Sequence, residues 1–217
     1  MGIKINEYPV EALTIGDEDF YDVDVWDSTT STFESQKISG LTLKSQITPR
    51  LYAQTVVSTL ITNTTLEQSL IGTGVGSLMI PAKTFKVGDS FTVRLCGPIS
   101  YLNNSHIEFK IVSNGSILLA NSGDFELKIT TGKFFELNLD FTVTKIGPSG
   151  AAELFTNGQF SYNQNSNNAL DGVNFSTINN TTFNCNIANT LDITAQWVTA
   201  STSNEIQSQN LVLIKTY

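Results

Sequence analysis

The chain has 217 residues, of which 40% are hydrophobic and 15% are charged, and its formal net charge is −8. An average soluble protein has about 25% charged residues, so Asn, Ser, Thr and Gln must provide most of the polar surface here. Twelve Lys and Arg against 20 Asp and Glu argue against a nucleic-acid partner, since phosphate binding needs many cations. The longest apolar runs have only strand length, so no membrane insertion is predicted. The opening lacks the basic start and apolar stretch of a secretory signal, so none is predicted.

The first 48 residues differ in composition from the rest and are predicted to form a separate N-terminal module and connector. Nine of the 20 acidic residues lie in the first 37 positions, which contain only two lysines. In residues 20–26 acidic and apolar positions alternate, which predicts a strand with one wet and one buried face. Residues 32–38 are predicted to pair with this strand. A segment of about 45 residues rarely sustains a core alone, so we expect it to dock on another surface.

Residues 49–217 form the second predicted domain, in which strand signals follow one another. Alternating or short apolar runs bounded by turn residues occupy 52–61, 66–71, 77–80, 91–96, 106–111, 117–120, 125–129, 135–143, 154–162, 183–187, 191–197 and 211–214. Asn114-Gly115 predicts a type I′ hairpin turn, because both central positions of that turn need a positive φ. About ten strands at roughly ten-residue spacing, with no helical window, predict an antiparallel jelly-roll β-sandwich. The whole chain is therefore predicted to be all-β.

Side chains that could carry catalysis or bind a metal are few. His106 is the single histidine, it alternates with the apolar Ile107, and no nucleophile elbow accompanies it, so it is predicted to be a surface residue. One histidine and two distant cysteines do not fit the usual zinc patterns. Cys96 and Cys185 are interpreted as free thiols, with a disulfide between them as the alternative. We predict no catalytic residue, no metal site and no cofactor.

Some patterns allow both a functional interpretation and a plainer one. The acidic cluster in 17–24 lacks the spacing of an EF-hand loop, so a solvated turn and a wet strand face are predicted. The glycines of 72–76 look like a phosphate loop, but a strand and not a helix should follow, so a flexible turn is predicted. Acidic pairs such as Asp124 and Glu126 alternate with core residues and should point outward. Trp197 is predicted to be a core residue.

Two sets of short motifs resemble a known family. The opening contains Ile3-Lys-Ile-Asn-Glu-Tyr-Pro9, Gly16-Asp-Glu-Asp-Phe20 and Gln36-Lys-Ile-Ser39. It is similar to the N-terminal module of bacteriophage tail and head fibre proteins, with Tyr8 at a usual leucine position. The later stretches are Gly76-Ser-Leu-Met-Ile-Pro81, Val87-Gly-Asp-Ser-Phe91, Asn189-Thr-Leu-Asp-Ile-Thr-Ala-Gln-Trp197 and Asn210-Leu-Val-Leu213. They resemble the jelly-roll C-terminal domains of such fibres, which are abundant in gut phages, including crAss-like ones.

The resemblance implies a virion location and a homotrimer. The N-terminal module would attach to the capsid or to another virion protein, and the jelly-roll head would project outward. The candidate docking residues are Tyr8, Phe20, Tyr21 and Trp26. The candidate trimer contacts are apolar residues on the second face of strands, Tyr52, Phe134 and Val198. Contacts with host glycans are expected from the loops at 163–170 or 199–207.

The leading prediction is a non-enzymatic structural virion protein, a trimeric head- or tail-fibre or capsid decoration protein. Two rival functions are kept beside it. A stand-alone jelly-roll carbohydrate-binding module would be a monomer with a sugar-stacking aromatic residue on one sheet face. A glycan depolymerase would have a cleft in which two carboxylates lie close together.

Overall fold

The structure is a computed structural model in which every described element is a β-strand. It describes the backbone of residues 20–27 and 32–39, and it describes residues 50–102, 104–165 and 168–217 in full. The chain divides into two compact units, Met1–Pro49 and Arg50–Tyr217, one residue away from the boundary predicted from composition. No helix in the described part is long and apolar enough to cross a membrane.

The first unit contains an antiparallel pair of strands, β1 (Phe20–Asp27) and β2 (Thr32–Ser39). These are the two strands that the alternating pattern predicts. Asp22 lies opposite Lys37 in their register, and Trp26 lies opposite Phe33.

Fifteen strands make up the second unit in the described residues. They are β3 (Arg50–Gln54), β4 (Ile61–Thr62), β5 (Gln68–Ser69), β6 (Gly74–Gly76), β7 (Met79–Ile80), β8 (Ser90–Tyr101), β9 (Ser105–Ser113), β10 (Ile117–Asn121), β11 (Phe125–Leu127), β12 (Thr130–Ile146), β13 (Ala152–Asn163), β14 (Leu170–Asn179), β15 (Asn189–Trp197), β16 (Glu205–Ile206) and β17 (Asn210–Lys215). All of their pairings are antiparallel.

The fifteen strands form two sheets packed face to face. The large sheet has nine strands in the order β14-β13-β12-β8-β17-β3-β6, with β16 and β4 beside β8. The small sheet has six, in the order β10-β9-β15-β5, with β11 and β7 attached. The chain leaves β8 for β9 and β10 in the small sheet and returns in β12 beside β8, which is a Greek-key connection of the kind that jelly rolls use. The predicted all-β sandwich is confirmed.

The core forms because each long strand buries every second side chain. In β12 the predicted apolar set, Phe135, Leu137, Leu139, Phe141 and Val143, is buried, while the residues between point outward. Aromatic rings bridge the two sheets, with the ring centroids of Phe109 and Phe160 4.7 Å apart. Such ring pairs add about 0.5–1.5 kcal/mol beyond the burial of their area.

Trp197 and the Asn114-Gly115 turn match their predictions. Trp197 is fully buried, and its indole N–H donates to the Ile61 carbonyl oxygen at 3.3 Å. Asn114 and Gly115 have φ values of 53° and 72°, and the Ser116 amide donates to the Ser113 carbonyl oxygen. This geometry defines a type I′ turn.

The predicted strands at 52–61 and 183–187 differ most from the structure, and β6, β14 and β16 were not predicted. The run at 52–61 is a strand only as far as Gln54, because the chain then turns and two successive amides, of Thr55 and Val56, donate to the Thr73 carbonyl oxygen. The run at 183–187 forms only an isolated bridge, between Asn184 and Ala151. The longest of the strands that were not predicted is β14, whose inward positions include few apolar residues. Both cysteines are free thiols, so the alternative of a disulfide is wrong.

Two buried threonines give a test of the core. Thr156 and Thr130 are both fully buried, but the Thr156 hydroxyl has no hydrogen-bond partner, whereas the Thr130 hydroxyl donates to the Asn163 carbonyl oxygen at 2.8 Å. An unsatisfied buried hydroxyl costs about 1–3 kcal/mol. We expect Thr156→Val to raise the free energy of unfolding by about 1 kcal/mol and Thr130→Val to lower it by about 1–2 kcal/mol. Urea denaturation of both variants measures this, and equal losses would contradict the assignment.

Candidate binding surfaces

The predicted docking residues belong to the first unit. Phe20, Tyr21 and Trp26 lie on β1, and Tyr8 lies outside the described residues. Tyr21, Val23 and Val25 occupy alternate positions of β1, and Asp22 and Asp24 occupy the positions between them. The role of these residues in docking stays a prediction.

Both polar loops predicted to contact a receptor lie at one end of the sandwich, which we call the loop end. It comprises residues 98–102, 128–134, 163–165, 168–170 and 198–207. Within the first loop, Asn165 accepts a hydrogen bond from the Thr131 amide at 3.0 Å, so this loop packs against the start of β12. The second loop contains β16, in which Ile206 pairs with Ile99 near the end of β8. The same ends of β8 and β12 therefore hold the two loops together.

The chain enters the sandwich far from the loop end. Arg50, the first residue of β3, pairs with Ile214, and Ile214 pairs with Thr92 near the start of β8. Thr92 and Ile99 are seven residues apart on one strand, which corresponds to roughly 24 Å. The C-terminal Tyr217 also lies near the start of β8, because its carbonyl oxygen accepts from the Ser90 amide. Chain entry and chain end thus lie opposite the loop end.

The structure separates the three candidate trimer contacts. The prediction that Tyr52 forms a trimer contact is wrong, because Tyr52 is only 7% exposed and its hydroxyl donates to the Gly72 carbonyl oxygen. Residues 51–53 are Leu-Tyr-Ala, so the apolar pattern alone could not show which side of β3 faces the core. Phe134 is 60% exposed on the outer face of the large sheet, and Val198 is 51% exposed just after β15. Their contacts stay predictions, but they lie on different surfaces.

His106 is paired with an acid on the outer face of the small sheet. Its Nδ1 lies 2.9 Å from Asp124 Oδ1, and the two side chains are 39% and 53% exposed. This exposed pair joins β9 to the residues that precede β11. Within the described part of the chain, no group of three or more His, Cys, Asp or Glu side chains could hold a metal ion. The acidic cluster in 17–24 reaches beyond the described residues.

An open groove of about 450 Å³ lies beside β5 and β15 at the end opposite the loops. Its lining consists of Ser69, Ile71, Gly72, Leu78, Asn114, Gly115, Thr190, Leu191 and Asp192. Asp192 Oδ1 accepts hydrogen bonds from Ser69 Oγ at 2.5 Å and from the Ile193 amide at 2.8 Å. Burial raises the pKa of the Asp192 carboxyl above its usual value. The groove thus combines an apolar floor, neutral polar groups and a single carboxylate.

The glycines of 72–76 form part of a short edge strand, β6, and not the flexible turn that the sequence predicts. A Cβ on Gly74 would lie 2.2 Å from the Ala53 carbonyl oxygen, and a Cβ on Gly72 would lie 2.1 Å from that of Val56. Glycine is required here because two backbone segments approach too closely for any side chain. The spacing of the glycines does not distinguish this packing role from a turn.

A charged network fastens β5 and the preceding residues to the outer face of the small sheet. Glu67 accepts hydrogen bonds from Lys110 Nζ at 2.8 Å and from Thr194 Oγ1 at 2.7 Å. Glu108 lies 3.5 Å from the same Lys110 ammonium. The hydrogen bond from Lys110 lowers the pKa of Glu67 and, in return, raises the pKa of Lys110. Sequence reasoning missed this network because Glu67 and Lys110 are distant in the chain.

Comparison with known proteins was made for the whole chain. No family model matches it, and no curated protein matches it. The similarity of its opening and later stretches to phage fibre proteins therefore depends on the quoted residues alone. Function has to be argued from the surfaces described above.

Glu67 and Asp192 should affect the pH dependence of stability with opposite signs. The folded-state pKa of Glu67 is lowered, so its stabilisation is present above its unfolded pKa and is lost as the pH falls through the folded one. The folded-state pKa of Asp192 is raised, so its ionisation disfavours folding at neutral pH.

We therefore expect Glu67→Gln to lower stability at pH 7 by less than about 1 kcal/mol, since the pair is partly exposed. Asp192→Asn should raise stability at pH 7. Both differences from the parent should shrink as the pH falls toward 3, because the carboxyls gain protons. Thermal unfolding between pH 3 and 8 measures both variants, and effects of the same sign at pH 7 would contradict the assignment.

Proposed function

We propose that this chain is a structural virion protein, a trimeric head- or tail-fibre or capsid decoration protein displayed on the particle surface. The observation that supports the proposal is that chain entry and the polar loops lie at opposite ends of the sandwich. The chain enters at Arg50, and both polar loops lie at the opposite end. A displayed protein needs this arrangement, because its attachment and its contacts with a host must point in opposite directions.

The distribution of charge supports attachment through the N-terminal unit. Residues 1–49 contain nine acidic residues against three lysines, whereas residues 50–217 contain eleven acidic against nine basic residues. Most of the net charge of −8 therefore belongs to the N-terminal unit. A strongly acidic surface attracts a basic partner over several ångströms and orients it before contact. The proposed partner of this unit is thus a basic patch on a capsid or other virion protein.

The loop end offers weak polar contacts of the kind that glycan recognition uses. The loop at 199–207 contains Asn204, whose Oδ1 accepts from Ser105 Oγ at 3.0 Å and whose Nδ2 donates to the Thr199 carbonyl oxygen at 3.2 Å. These bonds fasten a loop whose side chains are mostly neutral and polar, with Glu205 as its single ionisable residue. Single contacts with hydroxyl groups are weak, but three copies per trimer and many trimers per particle multiply the effective affinity.

A stand-alone carbohydrate-binding module is the second candidate. Phe134 favours it, because this exposed aromatic ring lies on the same sheet face as the outward amides Asn138 and Gln159. These amides are four strand steps from the ring, about 14 Å, so an oligosaccharide could stack on the ring and bond to the amides. Such a module works as a monomer, so oligomeric state separates the two functions. The enzyme alternative needs a pair of carboxylates, whereas the groove described above has Asp192 alone.

The mass of the full chain in solution tests the trimer. We expect light scattering after size exclusion to give three times the 23.7 kDa of the chain. A mass of one chain at all concentrations up to about 100 µM, a weak affinity on the usual scale, would favour the carbohydrate-binding module instead.

Charge reversal in the full-length chain tests the attachment. Asp22→Lys combined with Asp24→Lys reverses two alternating acids of β1, and we expect virions assembled with it to retain at least tenfold less of the protein. Asp124→Lys combined with Glu126→Lys makes the same charge change on the sandwich and should leave incorporation unchanged. Quantitative mass spectrometry of purified particles measures both. Full retention of the β1 variant would rule out attachment through the N-terminal unit.

A further inference from the structure

The two outer faces of the sandwich differ in charge. The outer face of the small sheet carries many ionisable side chains, namely Glu67, His106, Glu108, Lys110, Asp124, Glu126 and Asp192. The outer face of the large sheet carries fewer in its central rows, from Phe134 to Thr142, where they are Arg94, Glu136 and Asp140. Arg50, Lys145 and Glu153 lie on the same face nearer the end of chain entry. Arg94 Nε and Glu136 Oε1 form an ion pair with each other, and Asp140 accepts from the Thr92 hydroxyl.

A single row of register partners shows the chemistry of the large-sheet face. Across seven neighbouring strands, this row consists of Val75, Ala53, Val212, Arg94, Asn138, Gln159 and Asn174. In this row the residues on one side of Arg94 are apolar and those on the other side are amides. Exposed apolar side chains also stand near its margins, with Val75 at 70%, Phe134 at 60% and Ile178 at 58% exposure.

The amides of this face have unused hydrogen-bonding capacity. The side chains of Asn138, Asn157, Gln159 and Asn174 form no hydrogen bond with any group in the described part of the chain. Each amide is both a donor and an acceptor, so one amide surface can pair with another of the same composition. The Asn189 amide, by contrast, donates to two carbonyl oxygens, of Asn184 and Ile187. The Asn189 amide thus has hydrogen-bond partners within the chain, whereas these four amides have none in its described part.

The size of the face suits a stable contact. Seven strands at a spacing of about 4.8 Å span roughly 29 Å, and the eight residue steps from Phe134 to Thr142 span roughly 27 Å. This rectangle has an area of about 800 Å², the share that one partner contributes to a standard protein interface, and the shorter strands β3, β6 and β17 fill only part of it.

We propose that copies of this chain contact one another through the outer face of the large sheet, while the outer face of the small sheet stays in solvent. This proposal rests on the trimer of the proposed function and adds the surface that forms it. The sandwich residues 50–217 contain eleven acidic and nine basic residues, so two copies approach most easily through the face whose central rows carry the fewest charges. Depletion of charge is also what distinguishes the centre of an interface from the remaining surface.

Matched substitutions on the two faces test the proposal. Gln159→Arg adds a charge to the large-sheet face, and Gln196→Arg adds the same charge to the outer face of the small sheet. Val75→Asp is a second probe of the large-sheet face, at a side chain that is already 70% exposed. We expect Gln159→Arg and Val75→Asp to raise at least tenfold the protein concentration at which half of the chains are assembled. Gln196→Arg should leave this concentration unchanged. Analytical ultracentrifugation measures this, and circular dichroism with thermal unfolding confirms that each variant is folded.

Cys96 gives a measurement on the unaltered chain. It lies on the large-sheet face, where it pairs with Glu136 and Asn210, and it is partly exposed, whereas Cys185 is buried. We expect a maleimide to label Cys96 at least tenfold more slowly above the assembly concentration than below it. Cys185 should stay unlabelled in both conditions.

The outcomes distinguish this inference from the proposed function. A parent trimer that persists in Gln159→Arg and Val75→Asp, with Cys96 labelled equally fast at all concentrations, would place the contact elsewhere and leave the trimer intact. A trimer lost in Gln196→Arg alone would assign the contact to the small sheet. A parent chain that stays monomeric would overturn the trimer and, with it, the contact surface.

Discussion

The rest of the structure depends on the burial of one face of each sheet against the other. Along β12 every second residue from Phe135 to Val143 is buried, so the residues between are forced outward whatever their chemistry. A shift of one residue in register would exchange the two sets completely, exposing five large apolar side chains at a cost of about 1.5–3 kcal/mol each. The surface amides and Phe134 are outward because the core register leaves them no alternative.

Neutral hydrogen bonds organise the segments that join the strands. Ser208 Oγ donates to the Leu70 carbonyl oxygen at 2.5 Å, and Ser58 Oγ accepts from the Ser208 amide at 2.9 Å, so three distant segments meet at Ser208. Asn179 plays the same part after β14, where its Oδ1 accepts from the amides of residues 181, 182 and 183 and its Nδ2 donates to the Leu118 carbonyl oxygen. Amides and hydroxyls thereby satisfy buried backbone groups without the desolvation cost of a charge. Neutral side chains therefore form these buried hydrogen bonds, as they also form most of the polar surface.

The sequence predicts the elements in which apolar and polar residues alternate cleanly, and it fails where they do not. The strands around Leu95, Leu137 and Ile193 follow from period two, and the Asn114-Gly115 turn follows from its φ requirement. The strand β14 could not be found, because its sequence, LDGVNFSTIN, places only Val173 and Phe175 as apolar residues on the inward side. The glycines of β6 and the outward amides are set by contacts between distant strands, which no local pattern encodes. The candidate surfaces were accordingly predicted only in part: the two loops and Phe134 were named, whereas the low-charge face emerges only from the register of seven strands.

The loop end and the large-sheet face meet at Phe134, and this meeting connects the two proposals. Phe134 lies on β12 beside Pro98 of β8, at the margin of the face nearest the loops. The loop at 163–170 joins β13 to the edge strand β14 of the same sheet. In the proposed trimer, contact between large-sheet faces would place three copies of this loop at the end of the assembly that is opposite chain entry. Self-association would then do more than hold the copies together, because it would also bring weak contact groups together at that end.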